Sequence, residues 1–361
     1  MKILFSGGGT LGPVTPLLAM HEMIRDASRE ATFVWVGTKG GPEKALVEKA
    51  GIPFHTISSG KFRRYLSWWN VIDIAHILIG FFQSLGYLAK ERPTVCISAG
   101  GFISVPLHYA AWMLGIPTWI HQQDVHVGLA NKLMAPVATL ITTALEKNLN
   151  DFSKKKTFWL GNPIRQEIVL GEKERARKRF HIPSGLPVVF ATGGGTGSLR
   201  VNQLVAEAVQ YLKGECYIIH LSGKERPQEL VQRTSELFSH YQVHQFFTHE
   251  MTDAYAAADL VISRGGFGTI TEIAALGKPA ILIPKPGHQE ENVQFLASAG
   301  AVLVLSEVTS DGRHLAELVK DVLHDPERIQ AMSQVIQRLL PAATPEAVIG
   351  FLQRITHTTH L

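Results

Sequence analysis

At 361 residues the chain is long for a single hydrophobic core, and two domains are expected. It is 45% hydrophobic and 18% charged with no low-complexity segment, a composition that excludes disordered and fibrous classes. The net charge of +4 is too mild for a nucleic-acid binder, and no basic motif interleaved with aromatics appears.

Residues 2–6 read as a short apolar strand that runs into Gly7-Gly8-Gly9-Thr10-Leu11-Gly12, with a helix from about 15 to 27. Strand, glycine turn and helix make a phosphate-type or sugar-type turn at the start of the chain. The same Lys2–Phe5 run meets glycines before an apolar signal region could form, so a cytoplasmic protein is expected. Gly7, Gly9 and Gly12 formally match the dinucleotide fingerprint, which demands an acid at the end of the second strand. The strand at 32–36 ends instead in Gly37-Thr38-Lys39, which argues against a nicotinamide dehydrogenase.

Further strands are expected at 53–57, 94–98, 118–121 and 139–143, with helical stretches between them, the alternation of a parallel, doubly wound sheet. The stretch 61–90 departs from this pattern. Asp73, His76, Gly80 and Gln83 interrupt its apolar run, which is far shorter than the roughly 20 residues a membrane span requires. Trp68, Trp69, Phe81 and Phe82 beside Lys61, Arg63 and Arg64 suit an interfacial patch on anionic headgroups. The same aromatics would also serve as cover for the sheet.

Asn162-Pro163 marks a break, followed by a charged helix expected over 164–180. Strand 187–192 restarts the pattern and leads into a second glycine turn, Gly193-Gly194-Gly195-Thr196-Gly197-Ser198, with a helix over 201–212. Strands follow at 216–221, 243–246, 260–263, 280–283 and 301–305, and a last helix over 344–355. Cys96 and Cys216 sit inside apolar strand-like runs and read as buried free thiols, which fits a reducing compartment. Two halves that each open with strand, glycine loop and helix imply an α/β protein of two Rossmann-like, doubly wound domains facing each other across a cleft, the default ligand site.

The densest stretch is 259–292. A strand breaks at Gly265-Gly266 and enters a helix that carries Thr269, Thr271 and Glu272 in its opening turns and ends at Gly277; a polar loop with Gly287, His288 and Gln289 comes later. Bare N–H groups and the helix dipole at such a turn suit a diphosphate. An acid one turn further suits the two hydroxyls of a ribose. An ordinary strand–helix turn with solvated polar residues reads equally well from these residues alone.

Taken in order, the motifs resemble the MurG family of glycosyltransferases (family 28, GT-B fold). They are Gly8-Gly9-Thr10 with Pro16; Gly100-Gly101-Phe102 with Ser104 and Pro106; His121-Gln122-Gln123-Asp124 with Gly128 and Asn131-Lys132; and Gly161-Asn162-Pro163-Ile164-Arg165. The Gly193–Gly197 loop with Asn202, Ser222-Gly223-Lys224, Phe247 to Tyr255, Arg264 to Glu272, and His288-Gln289 with Asn292 complete the set. The resemblance covers nearly the whole chain. It implies an inverting transfer of N-acetylglucosamine from UDP-N-acetylglucosamine to the lipid-linked muramyl-peptide (lipid I), giving lipid II for peptidoglycan. It also implies a peripheral site on the cytoplasmic face of the cell membrane, and no cofactor.

By position, the family implies an acceptor- and membrane-facing domain over 1–162, a UDP-sugar domain over 163–343, and a C-terminal helix over 344–361 packed back on the first. Arg165, Gly195 and Thr196 would face nucleotide and diphosphate, and Thr248 the uracil. The turn formed by Phe267, Gly268, Thr269, Ile270 and Thr271 would give N–H groups to phosphate. Glu272 would take the ribose, with His288 and Gln289 at the sugar. Thr10, Leu11, Gly12 and Asp124 would close on sugar and acceptor. No Asp-X-Asp pair occurs, so a metal-bridged diphosphate is not indicated; helix N-termini and Arg165 would neutralise the leaving group.

The chain departs from the family where a base is needed. Its first loop carries Pro13 where the family has a histidine, and the family's His-Glu-Gln-Asn is here His121-Gln122-Gln123-Asp124. Proline accepts no proton, which makes Asp124 the first candidate base, with His121 and His126 behind it. Alternatives are a relative with a different UDP-sugar or lipid acceptor, a catalytically weakened nucleotide- or lipid-binding scaffold, and a UDP-sugar 2-epimerase.

Overall fold

Each apolar run between 2 and 143 that the sequence marks as a strand is one, and all of them pair in parallel. In the computed structural model, which describes residues 1–60, 69–195, 197–247 and 249–357 (backbone alone for 69–74 and 357), the chain divides into two units. One comprises residues 1–165 with 342–361, the other residues 166–341. Arg63, Arg64 and Trp68 of the expected membrane patch lie outside the described residues, as do Thr196, Thr248 and the side chain of Trp69.

In the first unit β1 (Lys2–Ser6), β2 (Thr32–Gly37), β3 (Phe54–Thr56), β4 (Val95–Ser98), β5 (Thr118–Gln122), β6 (Leu140–Thr143) and β7 (Thr157–Trp159) form one sheet in the order β3-β2-β1-β4-β5-β6-β7. The edge strand β7 was not expected from sequence; Thr157-Phe158-Trp159 is apolar but only three residues long and follows a run of lysines. Successive residues of β1 serve opposite faces of the sheet. Ile3 and Phe5 pack with Leu17, Met20 and Ile24 of α1 (Thr15–Ala27). Leu4 lies on the other face with Leu107 and Ala110, after α2 (Glu43–Lys49) and α3 (Trp69–Glu91), on α4 (Ser104–Met113). A short α5 (Leu129–Met134) follows β5. The strand order reverses between β1 and β4, and the loops there carry the glycine turns.

In the second unit the charged segment expected as one helix is two pieces, a 3-10 turn at Gln166–Leu170 and α6 (Lys173–Arg179). The break falls at Gly171, where a Cβ would stand 2.7 Å from Ala256 Cβ and from Thr252 O. The basic face of α6 is instead spent on one buried acid, Asp253, which pairs with Arg175 at 3.0 Å and Arg179 at 2.8 Å. β8 (Val188–Thr192), β9 (Tyr217–Leu221), β10 (Tyr241–His244), β11 (Leu260–Ser263), β12 (Ala280–Leu282) and β13 (Leu303–Val304) form a parallel sheet in the order β10-β9-β8-β11-β12-β13.

The helices here are α7 (Leu199–Ala208), α8 (Glu229–Leu237), α9 (Met251–Ala257), α10 (Phe267–Leu276), α11 (His288–Ser298), α12 (Gly312–Leu323) and α13 (Pro326–Leu339). Val201, Leu204 and Val205 of α7 and Leu315 and Val319 of α12 cover Val189, Ala191 and Ile262 on one sheet face. Phe190, pointing the other way, meets Tyr255 of α9 edge-on at 5.2 Å. Right-handed crossovers put α9 and α10 together on that second face, because the order reverses between β8 and β11.

The last helix, α14 (Pro345–His357), returns to the first unit. Ala343 N donates to Asn162 O at 2.9 Å, and Val348, Leu352 and Ile355 are buried beside α1. Burial of three such side chains stabilises the return by about 1.5–3 kcal/mol each.

Candidate functional site

The second unit builds a site from two turns at its switch point. β11 ends at Ser263, and Arg264-Gly265-Gly266 leads into α10 with Gly266 as an extended N-cap whose position carries no side-chain cap. The N–H groups of Phe267, Gly268 and Thr269 therefore have no acceptor within the helix, and they sit at its positive end. Ile270 is different: its N–H is already bonded to Gly266 O at 3.0 Å and its side chain is fully buried. Thr271 is buried too, and its hydroxyl donates back to Phe267 O at 2.8 Å. The expectation that Ile270 and Thr271 serve a phosphate is corrected accordingly, since both are committed to the helix.

Glu272 lies one turn on, half-buried, with Oε2 accepting the Tyr255 hydroxyl at 3.0 Å. Gly268 and Glu272 are four apart and share a helix face. With a rise of 1.5 Å per residue, the bare N–H groups and the carboxylate are separated by about 6–7 Å along α10. An anion and a diol carried at that spacing would be held at once.

The second glycine loop faces the same place. Gly194 has φ +79°, and a Cβ on it would lie 3.8 Å from Thr269 Oγ1, which puts the loop against the N-terminus of α10. Gly195 beside it is exposed. Gly265 must be glycine, because a Cβ there would stand 2.5 Å from Val293 Cγ2 and 3.1 Å from Gln289 O of α11. That contact holds the first turn of α11 next to α10. Gln289 turns its amide oxygen to Lys285 N at 3.1 Å, and His288 is exposed with Glu291 at 3.8 Å. Arg165, half-buried, ends the first of the two segments that make up the first unit.

In the first unit the opening turn is not a vacant phosphate site. Glu43, at the start of α2 and fully buried, places Oε2 3.2 Å from Gly9 N and accepts through Oε1 from Thr38 N at 2.7 Å and Thr38 Oγ1 at 2.5 Å. A carboxylate thus already occupies the amide that an anion would use, and a phosphate there would meet like charge. Sequence reasoning missed Glu43; an acid two residues after Gly40-Gly41 at a helix start was the available signal.

The first loop is joined to the one after β5. Gln123 Nε2 donates to Gly12 O at 3.1 Å, which brings Thr10, Leu11 and Gly12 beside Asp124. Asp124 and His126 are exposed on that loop. Gln122, at the position of the family glutamate, is buried and donates to Asp124 O at 2.8 Å and His126 O at 3.2 Å, while Oε1 accepts from Asn131 at 2.7 Å. Through these bonds it braces the loop.

His121 is corrected as a base candidate. It is 0% exposed, Nδ1 lies 3.0 Å from Thr142 Oγ1 and Nε2 2.8 Å from Asn162 Oδ1, and burial pushes its pKa down to about 4 despite the Asn162 bond. Neither ring nitrogen is left for an acceptor.

On α3 the aromatic pair divides. Phe81 packs toward the sheet, whereas Phe82 is 67% exposed, in a row with the exposed Leu78 and Ile79. Trp112, Met113 and Leu114 at the end of α4 are also exposed, and nothing in the sequence had singled them out. Among the described residues no helix is long and apolar enough to cross a membrane, and no three His, Cys, Asp or Glu side chains gather as a metal site.

Residues 3–143 match the family model described as the glycosyltransferase family 28 N-terminal domain, and residues 188–342 match that of its C-terminal domain. A curated relative from Listeria welshimeri, named UDP-N-acetylglucosamine--N-acetylmuramyl-(pentapeptide) pyrophosphoryl-undecaprenol N-acetylglucosamine transferase, is 34% identical over 98% of this chain and 100% of its own. A protein of the same name from Lachnospira eligens is 35% identical over 90% of this chain and 91% of its own. Among solved structures, Acinetobacter baumannii MurG matches with a TM-score of 0.75 at 24% identity over 99% of both chains. A UDP-GlcNAc 2-epimerase from Neisseria meningitidis, bound to UDP-GlcNAc, matches at 0.69 with 13% identity over 98% of this chain and 100% of that one. The shared architecture is the GT-B fold.

Proposed function

The chain belongs to glycosyltransferase family 28, and from that premise we propose that it transfers N-acetylglucosamine from UDP-N-acetylglucosamine to the polyprenyl-diphosphate-linked muramyl-peptide, giving lipid II for the cell wall. The observation that carries the donor half is the first turn of α10. Three unbonded N–H groups stand one helical turn before a carboxylate that Tyr255 orients. A nucleoside diphosphate offers the complementary pair, a charged diphosphate and a ribose diol.

Chemically, the acceptor hydroxyl attacks the anomeric carbon from the face opposite UDP, the bond to the diphosphate oxygen breaks, and the configuration inverts. The negative charge that grows on the leaving diphosphate is met by the α10 N-terminus, with Arg165 as a further cation, so no bridging metal is needed. Asp124 takes the proton of the acceptor hydroxyl, the role left open by Pro13. His288 and Gln289 contact the sugar, and Gly195 lies at the diphosphate.

The row Leu78, Ile79 and Phe82 seats the first unit on an anionic membrane surface, as a peripheral protein of the cytoplasmic face. Phe82→Ser should reduce sedimentation with phosphatidylglycerol vesicles several-fold; unchanged sedimentation would remove the row from the membrane contact.

The deciding experiment supplies labelled UDP-N-acetylglucosamine with and without lipid I. Label in lipid II that appears only with acceptor supports the reading. Loss of donor without any acceptor would make the protein an epimerase or hydrolase, and no turnover with any UDP-sugar would make it a binding scaffold.

A further inference from the structure

Four cations of the second unit meet at a place the donor turn does not use. A cavity of about 270 Å³ opens at the N-terminus of α7, and its charged lining residues are Arg200, Arg226, Arg264 and Lys285. They come from four separate segments: α7, the loop after β9, the turn after β11 and the loop after β12. No carboxylate lines the cavity; Glu307 is the one acid paired with any of these four among the printed ion pairs of the described residues, through Arg264.

Two of the cations are fixed before any ligand arrives. Arg264 is 6% exposed, with Nε donating to Ser198 Oγ at 2.7 Å and Nη1 to Ile283 O at 3.0 Å and to Glu307. Arg200 donates through Nε to Glu307 O at 2.7 Å and through Nη2 to Ser310 O at 2.6 Å. The helix adds its own donors. Ser198 Oγ caps Val201 N, so the N–H groups of Leu199 and Arg200 remain without a helical acceptor. Preorganised guanidinium groups around the positive end of a ten-residue helix are the chemistry that holds a multiply charged oxyanion.

The cavity and the donor turn are set apart by the glycine loop itself. Its Gly194 end approaches Thr269 of α10, whereas at Gly197 a Cβ would meet Ser222 O at 2.6 Å and Arg226 Cγ at 3.0 Å. α7 and α10 also leave the switch point on opposite faces of the sheet.

We propose that this cavity is a second anion site, which binds a phosphate or diphosphate group while the donor turn is occupied. Its recognition chemistry is shared by soluble pyrophosphate and by an anionic lipid headgroup. The site does not depend on the reaction assigned to the donor turn.

The test measures inorganic pyrophosphate binding by calorimetry in saturating UDP, and in parallel sedimentation with phosphatidylglycerol against phosphatidylcholine vesicles. The comparison is wild type against Arg226→Gln/Lys285→Gln, two side chains that leave the buried Arg264 anchor intact; Lys285→Gln alone guards against misfolding of the pair. A pyrophosphate affinity reduced tenfold or more in the double variant, with UDP affinity within twofold of wild type, supports the site. A loss confined to phosphatidylglycerol vesicles also supports it and names a headgroup as the source. Pyrophosphate displaced by UDP, no binding of either probe to wild type, or binding of both unaltered by the substitutions would overturn it. Failure of UDP to bind at all would strike the donor reading instead.

Discussion

The Tyr255 hydroxyl donates to Glu272 Oε2 at 3.0 Å, so that a residue of α9 fixes the carboxylate α10 offers. Glu272→Gln should weaken UDP binding by roughly 1–3 kcal/mol, the scale of a hydrogen bond to a charged group. Tyr255→Phe leaves the carboxylate but removes this hydrogen bond to it, and should cost about 0.5–1.5 kcal/mol. Calorimetry with UDP reads both; unchanged affinity in Glu272→Gln removes that residue from the site.

Two substitutions separate Asp124, the proposed base, from His121, a buried support of the fold. Asp124→Asn should lower kcat roughly 100- to 10,000-fold with little change in KM for the donor, as loss of a general base does. His121→Ala should instead lower the melting temperature, since Thr142 and Asn162 would both lose a buried partner. A full rate in Asp124→Asn would end the base assignment.

Restoring the family glutamate should harm the protein. Gln122→Glu replaces an NH₂ that donates to the Asp124 and His126 carbonyls by an oxygen that repels them. Denaturant unfolding should show a loss of about 1–3 kcal/mol, and lipid II synthesis should not rise. A faster enzyme of equal stability would show that the position faces substrate.

Acid should unfold the protein through its buried histidines. Desolvation lowers His121 to about 4, and His108 and His220 to about 3, from an ordinary 6.5. Between about pH 4 and 6.5 the unfolded chain therefore binds more protons than the folded one, so stability rises with pH across that window and is complete above about 6.5. Each such group removes about 2 kcal/mol at pH 5. Calorimetry should find a melting temperature flat from pH 7 to 8 and falling below 6.5; a flat profile down to pH 5 would contradict the burial of these rings.

Much of the architecture was legible because parallel strands buried on both faces appear as unbroken apolar runs bounded by glycine, as at 94–98 and 260–263. The α10 turn was legible for the same reason: its glycines and Glu272 are neighbours in sequence. What could not be read locally comes from distant partners. Asn162, 41 residues from His121, is what turns a motif histidine into a core one. Glu43 looks like any exposed helix acid until Gly9, 34 residues earlier, is placed against it. Arg264 sits inside the recognised motif, yet its partners Ser198 and Glu307 lie 66 and 43 residues away, and only together do they reveal a cationic cavity.

The two glycine turns, so alike as strings of letters, differ in one chemical respect that matters to anyone seeking to block this protein. The first brings its own counter-anion, tethered to the chain as the Glu43 side chain. The second unit supplies the cations and bare amides and leaves the anion to be brought from outside. An inhibitor built around a phosphate surrogate should gain more from the bare amides and cations of the second unit than from the Gly9 amide, which the Glu43 carboxylate already holds.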